Sequence, residues 1–291
     1  MYVSNNKATT KNIRGDKSMA MRAKSGIREK TYYCQGVSGN KKADYIEIDL
    51  FPFVELQYKK SRGGRQKATT PKQKNLNDKK ARRYFRLLAK SNFGSKDIHL
   101  TLSYDNDNLP DTPEQGEKRL RNYMRRLKKL YKANGKELKY IYVTEVSSKG
   151  RVHHHLLINR GVDRDAIEKA WGHGWANSKR IQAEHGGIEA LVCYLSKDPK
   201  GRKRYTSSRN LVKPLESVSD TKTSRKQFQQ LTLWPEDCED MQKHFEQKHP
   251  DYRIISVEKY YNAVTCEWYI RAKMELRDDY KRKKGAKRRN E

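Results

Sequence analysis

Apolar and polar positions alternate with a period of two in several stretches of the chain. In YIEIDLFPFVELQ (45–57), Ile46, Ile48 and Leu50 alternate with Glu47 and Asp49. That is the pattern of a half-buried strand, expected to run until Pro52, which has no N–H for a ladder. In IHLTLSY (98–104), Ile98, Leu100, Leu102 and Tyr104 alternate with His99, Thr101 and Ser103. KYIYVTEV (139–146) and VHHHLLI (152–158) follow as two more strands, and the short loop with Gly150 between them signals a hairpin. Strand-like runs return at 252–260 and 267–274.

Helical periodicity appears elsewhere. Residues 77–90 place Ala81, Tyr84, Phe85 and Leu88 on one face. A second helix starts near Thr112. Thr112 and Gln115 have capping-box spacing, Pro113 suits the first turn, and Gly135 suits the stop. Leu120, Tyr123, Met124, Leu127 and Leu130 form its apolar stripe. Shorter helices are expected at 163–171, 185–197 and 236–248. Residues 1–44 read as a basic flexible arm, 58–74 as a basic loop, and KRKKGAKRR as a basic tail.

Charge changes the picture most. Sixty-five Lys and Arg face thirty-five Asp and Glu, a formal +30 over 291 residues. Such a surface repels itself unless a polyanion neutralises it, and nucleic acid is the usual polyanion. No run of 18 apolar residues exists, so no membrane span is expected, and MYVSNNKATTKN lacks the apolar core of a secretory signal. Cys34, Cys193, Cys238 and Cys266 are scattered without a CxxC pair, which fits a reducing cytoplasm and excludes a zinc knuckle.

The chemistry concentrates in VHHHLLI. Successive strand residues point to opposite faces, so His153 and His155 share one face while His154 joins Val152, Leu156 and Ile158 on the apolar one. If the hairpin places Glu145 opposite His153, two imidazoles and a carboxylate meet, a donor set for Mg²⁺ or Mn²⁺. A one-residue slip would send Glu145 to the other face. Downstream, Tyr194 and Lys197 in YLSK share a helical face, where an ammonium would favour the phenolate of a nucleophile. The basic segment 198–214 suits phosphate contacts.

These motifs resemble, in order, those of rolling-circle replication initiators of plasmids and single-stranded DNA phages, in the HUH endonuclease superfamily. IHLTLSY is similar to the first strand motif, HHH (153–155) to the metal motif and YLSK to the nucleophile motif; SSRNL (207–211) is similar to a stretch of phage-type initiators. The middle position of the metal motif is normally apolar and here is His154. Either a hydrogen bond accommodates that imidazole in the core, or the register is shifted and His154 is the ligand.

The resemblance implies an α+β fold, a central antiparallel sheet of about five strands with helices packed on it. It implies a nicking domain over 45–215 and a C-terminal extension over 216–291. Glu145, His153 and His155 would hold Mg²⁺ or Mn²⁺, Tyr194 would attack the phosphate with Lys197 beside it, and Thr101, Arg204, Ser207, Ser208, Arg209 and Asn210 would contact DNA. A single tyrosine in the motif implies a single-tyrosine enzyme, with Tyr205 in a loose basic loop as the spare. The partners would be single-stranded or origin-hairpin DNA, and a host helicase and polymerase, since no Walker GxxxxGK[ST] motif is present. A relaxase or transposase would use the same chemistry. A non-catalytic basic nucleic-acid-binding protein is the rival of a different class.

Overall fold

The computed structural model describes residues 23–56, 71–181, 187–195, 204–263 and 265–278. Along the chain the elements are β1 (Ala23–Cys34), β2 (Tyr45–Leu56), α1 (Pro71–Asn92), β3 (Ile98–Ser103), α2 (Pro113–Ala133), β4 (Tyr140–Val146), β5 (Val152–Ile158), α3 (Arg164–Lys169), β6 (Ala176–Arg180), α4 (Gly187–Leu195), β7 (Thr206–Ser207), β8 (Leu215–Ser219), α5 (Arg225–Leu233), α6 (Glu239–Lys248), β9 (Tyr252–Asn262) and β10 (Glu267–Leu276). The fold is α+β, but with two five-stranded antiparallel sheets where one was expected. Their orders are β8-β1-β2-β10-β9 and β6-β3-β5-β4-β7.

The first sheet draws on segments expected in three separate regions. Residues from Ala23 onward, assigned by sequence to a flexible arm, form the full-length partner of β2. Their alternation was obscured because a core-facing position is occupied by Glu29, which is buried. It accepts from the Thr223 hydroxyl at 3.1 Å and lies 3.5 Å from the Lys222 ammonium. A paired buried carboxylate is tolerated where an isolated one is not. On the same face Ile27, Ile46, Ile48, Leu50, Ile270, Ala272 and Met274 pack against Phe228 and Leu231 of α5 and Met241 and Phe245 of α6.

Strand β2 runs through Pro52 to Leu56, past the expected stop. It pairs with β10 from Tyr45 to Leu50, and beyond that with β1 alone. Pro52 thus sits where β2 has become an edge, and an edge position needs no N–H on its open side.

The second sheet is covered on both faces. On one, Leu100, Leu102, Leu156 and Ile158 pack against Leu120, Tyr123, Met124 and Leu127 of α2 and Ile167 of α3. Helix α2 starts as expected: Thr112 caps it by accepting from Gln115 N at 3.3 Å, and Gly135 ends it at φ +64°. On the other face, Ile141, Val143 and Leu157 pack against Phe85, Leu88 and Ala89 of α1 and Val192 and Leu195 of α4.

Helix α1 therefore bridges the sheets. Its apolar side covers the second sheet, while Arg83 and Arg86 turn to the first. Arg83 pairs with Glu47 at 2.7 Å and with Asp49, Arg86 pairs with Glu47, and Arg271 pairs with Asp49 at 2.9 Å.

Candidate metal centre

The hairpin register decides what the histidines can do. Glu145 lies directly opposite His153, and Val143 opposite His155. Side chains of directly opposed residues share a face, so Glu145, His153 and His155 meet on the α4 side of the sheet. His153 Nε2 is 3.1 Å from Glu145 Oε2, and His155 Nε2 is 3.8 Å from the same oxygen. One ligand atom from each residue lies within 4.8 Å of the others, close enough for one ion to touch all three.

The surroundings prepare His155 for that role. Its Nδ1 is 3.3 Å from the hydroxyl of Thr101, directly across on β3, and its ring stacks on His99 with centroids 5.6 Å apart. A partner on one ring nitrogen fixes the orientation in which the other can bind. Burial pushes the His155 pKa down to about 4, partly opposed by Glu145, so the imidazole is neutral near pH 7 and keeps its lone pair. The donor set thus fits a divalent cation. Two nitrogens make it kinder to Mn²⁺ than to oxygen-loving Mg²⁺.

His154 is excluded from the cluster. It is fully buried among the α2-side core residues. Its Nε2 lies 2.9 Å from the Tyr104 hydroxyl and its Nδ1 2.9 Å from the Thr144 hydroxyl. Burial drives its pKa down to about 3, so it is a neutral core residue with both nitrogens occupied. The hydrogen-bonded alternative for this position holds, and the shifted register does not.

Tyr194 falls within α4, and its side chain, like Lys197, lies outside the described residues. Val192 and Leu195 anchor α4 on the face that carries the cluster. Glu189 in its first turn receives Arg86 at 2.9 Å, Lys90 at 3.3 Å and Lys273 at 3.2 Å. These ties hold α4 to α1 and to the first sheet.

The residues expected to touch DNA have different settings. Thr101 is turned to His155. Arg204 pairs with Asp78 of α1 at 2.5 Å. Ser207 pairs with Ile141 in the ladder. Ser208 Oγ accepts from Tyr140 N at 3.1 Å, and Asn210 Nδ2 donates to Leu138 O at 3.1 Å, so both fasten the segment to the start of β4. Arg209 is exposed. Tyr205 is not in a loose loop: it stacks on Phe85 with centroids 4.8 Å apart, and burial raises its pKa.

The roles of Thr101 toward His155, and of Tyr104 and Thr144 toward His154, were not foreseen. For Thr101 a signal existed, since it occupies the polar face of IHLTLSY.

Residues 97–199 match the family of the replication-associated protein ORF2. That span holds β3 to β6 and α2 to α4, including the whole Glu–His–His cluster. No curated protein matches the chain. Among solved structures, the hypothetical protein ORF119 from Sulfolobus islandicus rod-shaped virus 1 is 19% identical, over 43% of this chain and 97% of that one, with a TM-score of 0.28. A likeness that slight carries no argument. No helix among the described residues is long and apolar enough to cross a membrane.

Proposed function

We propose that this protein nicks single-stranded DNA and transfers the cut strand, initiating rolling-circle replication. The observation that carries the reading is the convergence of Glu145, His153 and His155 on a sheet within the segment that matches a replication-associated family. Glu145, His153 and His155 would hold Mg²⁺ or Mn²⁺. The bound cation would supply positive charge to the phosphate oxygens, where negative charge grows in the transition state.

Tyr194, on the helix packed over the same face, would attack phosphorus. A bond forms between its phenolic oxygen and phosphorus as the bond to the 3′-oxygen breaks. The tyrosine loses its proton and the departing 3′-oxygen gains one, with Lys197 placed to stabilise charge or assist that protonation. The products are a 5′-phosphotyrosine and a free 3′-OH. Resealing is the reverse reaction, because the phosphodiester energy is kept in the covalent bond.

Thr101 would hold the His155 ring, and the buried Tyr205, with its raised pKa, is a poorer nucleophile. A partner helicase would unwind the duplex, and a host polymerase would extend the 3′-OH.

The test is incubation of the full chain with a labelled single-stranded oligonucleotide pool and Mn²⁺. A covalent adduct stable on a denaturing gel is expected. Affinity without any adduct would leave a nucleic-acid-binding protein in place of an enzyme.

A further inference from the structure

One large side chain near the cluster has no role in the fold. Trp175 is 65% exposed. The loop that carries it is held firmly at the end of β3. Trp171 is buried and donates from Nε1 to Ser103 O at 2.9 Å; Asp105 N donates to His173 O at 3.3 Å; and Ser103 N donates to Trp175 O at 2.8 Å. Gly174, at φ +131°, lies so close to the Ser103–Asp105 backbone that a Cβ there would collide with it. The display of Trp175 is thus imposed by its surroundings.

The register says where it is displayed. Leu102 pairs with Ala176 and Thr101 with Asn177, and the bond from Ser103 to Trp175 continues that ladder by one step. Ala176 packs into the α2-side core, so Trp175, Asn177 and Lys179 take the opposite face, which is the face of the metal cluster. Trp175, Ser103, His153 and Glu145 occupy one row across the sheet. Two strand spacings put Trp175 roughly 10 Å from His153. Lys179 sits two rows along, close enough to His99 to help lower its pKa.

We infer that Trp175 stacks an unpaired base next to the phosphate held at the Glu145–His153–His155 cluster, and that Lys179 contacts the backbone of the same strand. The identity of this ligand rests on the nicking reading. Charge complementarity favours it: 171–181 (WGHGWANSKRI) contains no carboxylate, and Asn177, Lys179 and Arg180 are exposed beside the tryptophan. A protein strand adding to β6 is disfavoured, because α3 covers that edge: Ser178 N donates to Glu168 Oε1 at 2.7 Å, and Arg164 Nη1 donates to Ser178 O at 3.3 Å. What remains open is a flat aromatic face beside a cation, the platform that single strands use.

The test measures binding of the full chain to labelled oligothymidylate and to a matched duplex, with chelator present so that no cutting occurs. Trp175→Ala is expected to weaken single-strand binding roughly 5- to 150-fold, the range for losing one stacked base. Trp175→Phe keeps most of the affinity, and duplex binding by both variants stays within about two-fold, because paired bases offer no face to stack. Lys179→Ala lowers the salt slope of binding by about one. Unchanged single-strand affinity in Trp175→Ala, or an equal loss on the duplex, overturns the inference.

The covalent-adduct assay separates the two proposals. An adduct together with Trp175-independent binding sinks the stacking site alone. Trp175-dependent binding without an adduct sinks the nicking reading and leaves a single-strand-binding surface.

Discussion

The two sheets carry polar residues in opposite ways. On the first sheet, Glu47 and Asp49 are buried and meet Arg83, Arg86 and Arg271, so each carboxylate has a guanidinium beside it. On the second sheet, Glu145 meets two imidazoles, one of which burial holds neutral, and all three offer lone pairs to one point. The first arrangement cancels its own charge and ties α1 down. The second gathers donors, which is how a protein prepares for a cation. Burial and polarity are common to both, so neither property distinguishes a site from a strut. Donor chemistry does.

The sharpest way to break this comparison is the nucleophile. Tyr194→Phe is expected to abolish the covalent adduct while DNA affinity stays within about a few fold, because a hydroxyl contributes little to phosphate contact. Tyr205→Phe should leave the adduct intact. Peptide mapping that finds DNA on Tyr205 would remove α4 from the chemistry.

The histidine triplet comes next. His153→Ala and His155→Ala are expected to abolish nicking, with Mn²⁺ binding by calorimetry lost in parallel and melting temperature little changed. His154→Leu should do the reverse. It strands the hydroxyls of Tyr104 and Thr144 in the core, at about 1–3 kcal/mol each at most, while nicking per folded molecule survives. Equal loss of nicking in all three variants would contradict the face assignment.

The first sheet supplies the counterpart. Arg83→Met leaves two buried carboxylates short of a cation. A loss of about 3 kcal/mol in denaturant unfolding is expected, at the low end for a broken buried pair because Arg86 and Arg271 remain. Mn²⁺ affinity should not move. A large drop in metal affinity would mean that the two sheets are coupled more tightly than their separate cores suggest.

The smallest effect is on acid stability. His154 and His155 titrate in the folded chain at about 3 and about 4, against 6.5 for a free imidazole. Below pH 6.5 the unfolded chain therefore binds more protons. Their contribution is fully present above that pH and is lost as the pH falls towards 4. Melting temperature with chelator present should fall between about pH 7 and about pH 5, and less steeply in His154→Leu.

Much of the second sheet was legible because its strands and helices follow simple periods. Alternation in 98–104, 139–146 and 152–158 marked β3, β4 and β5, and the Thr112–Pro113 start and Gly135 stop bounded α2. The first sheet was half hidden. β1 carries Glu29 where an apolar residue was expected, and its partners Thr223 and Lys222 lie far along the chain. β6 (ANSKR) has no apolar alternation, because it is an edge strand lying mostly in solvent.

The sequence by itself determined which residues could ligate: strand alternation alone puts His153 and His155 together and His154 behind them. Whether Glu145 joined them depended on hairpin register, which is a property of two strands and a turn, where a slip of one residue would have turned the carboxylate away. The hydroxyls that occupy His154, the Thr101 contact that orients His155 and the backbone against which Gly174 presses, leaving Trp175 in solvent, all come from residues distant in sequence. Local period is written in neighbours a few residues apart. Contacts of this kind exist only after the chain has closed its long loops, so only the tertiary structure decides them.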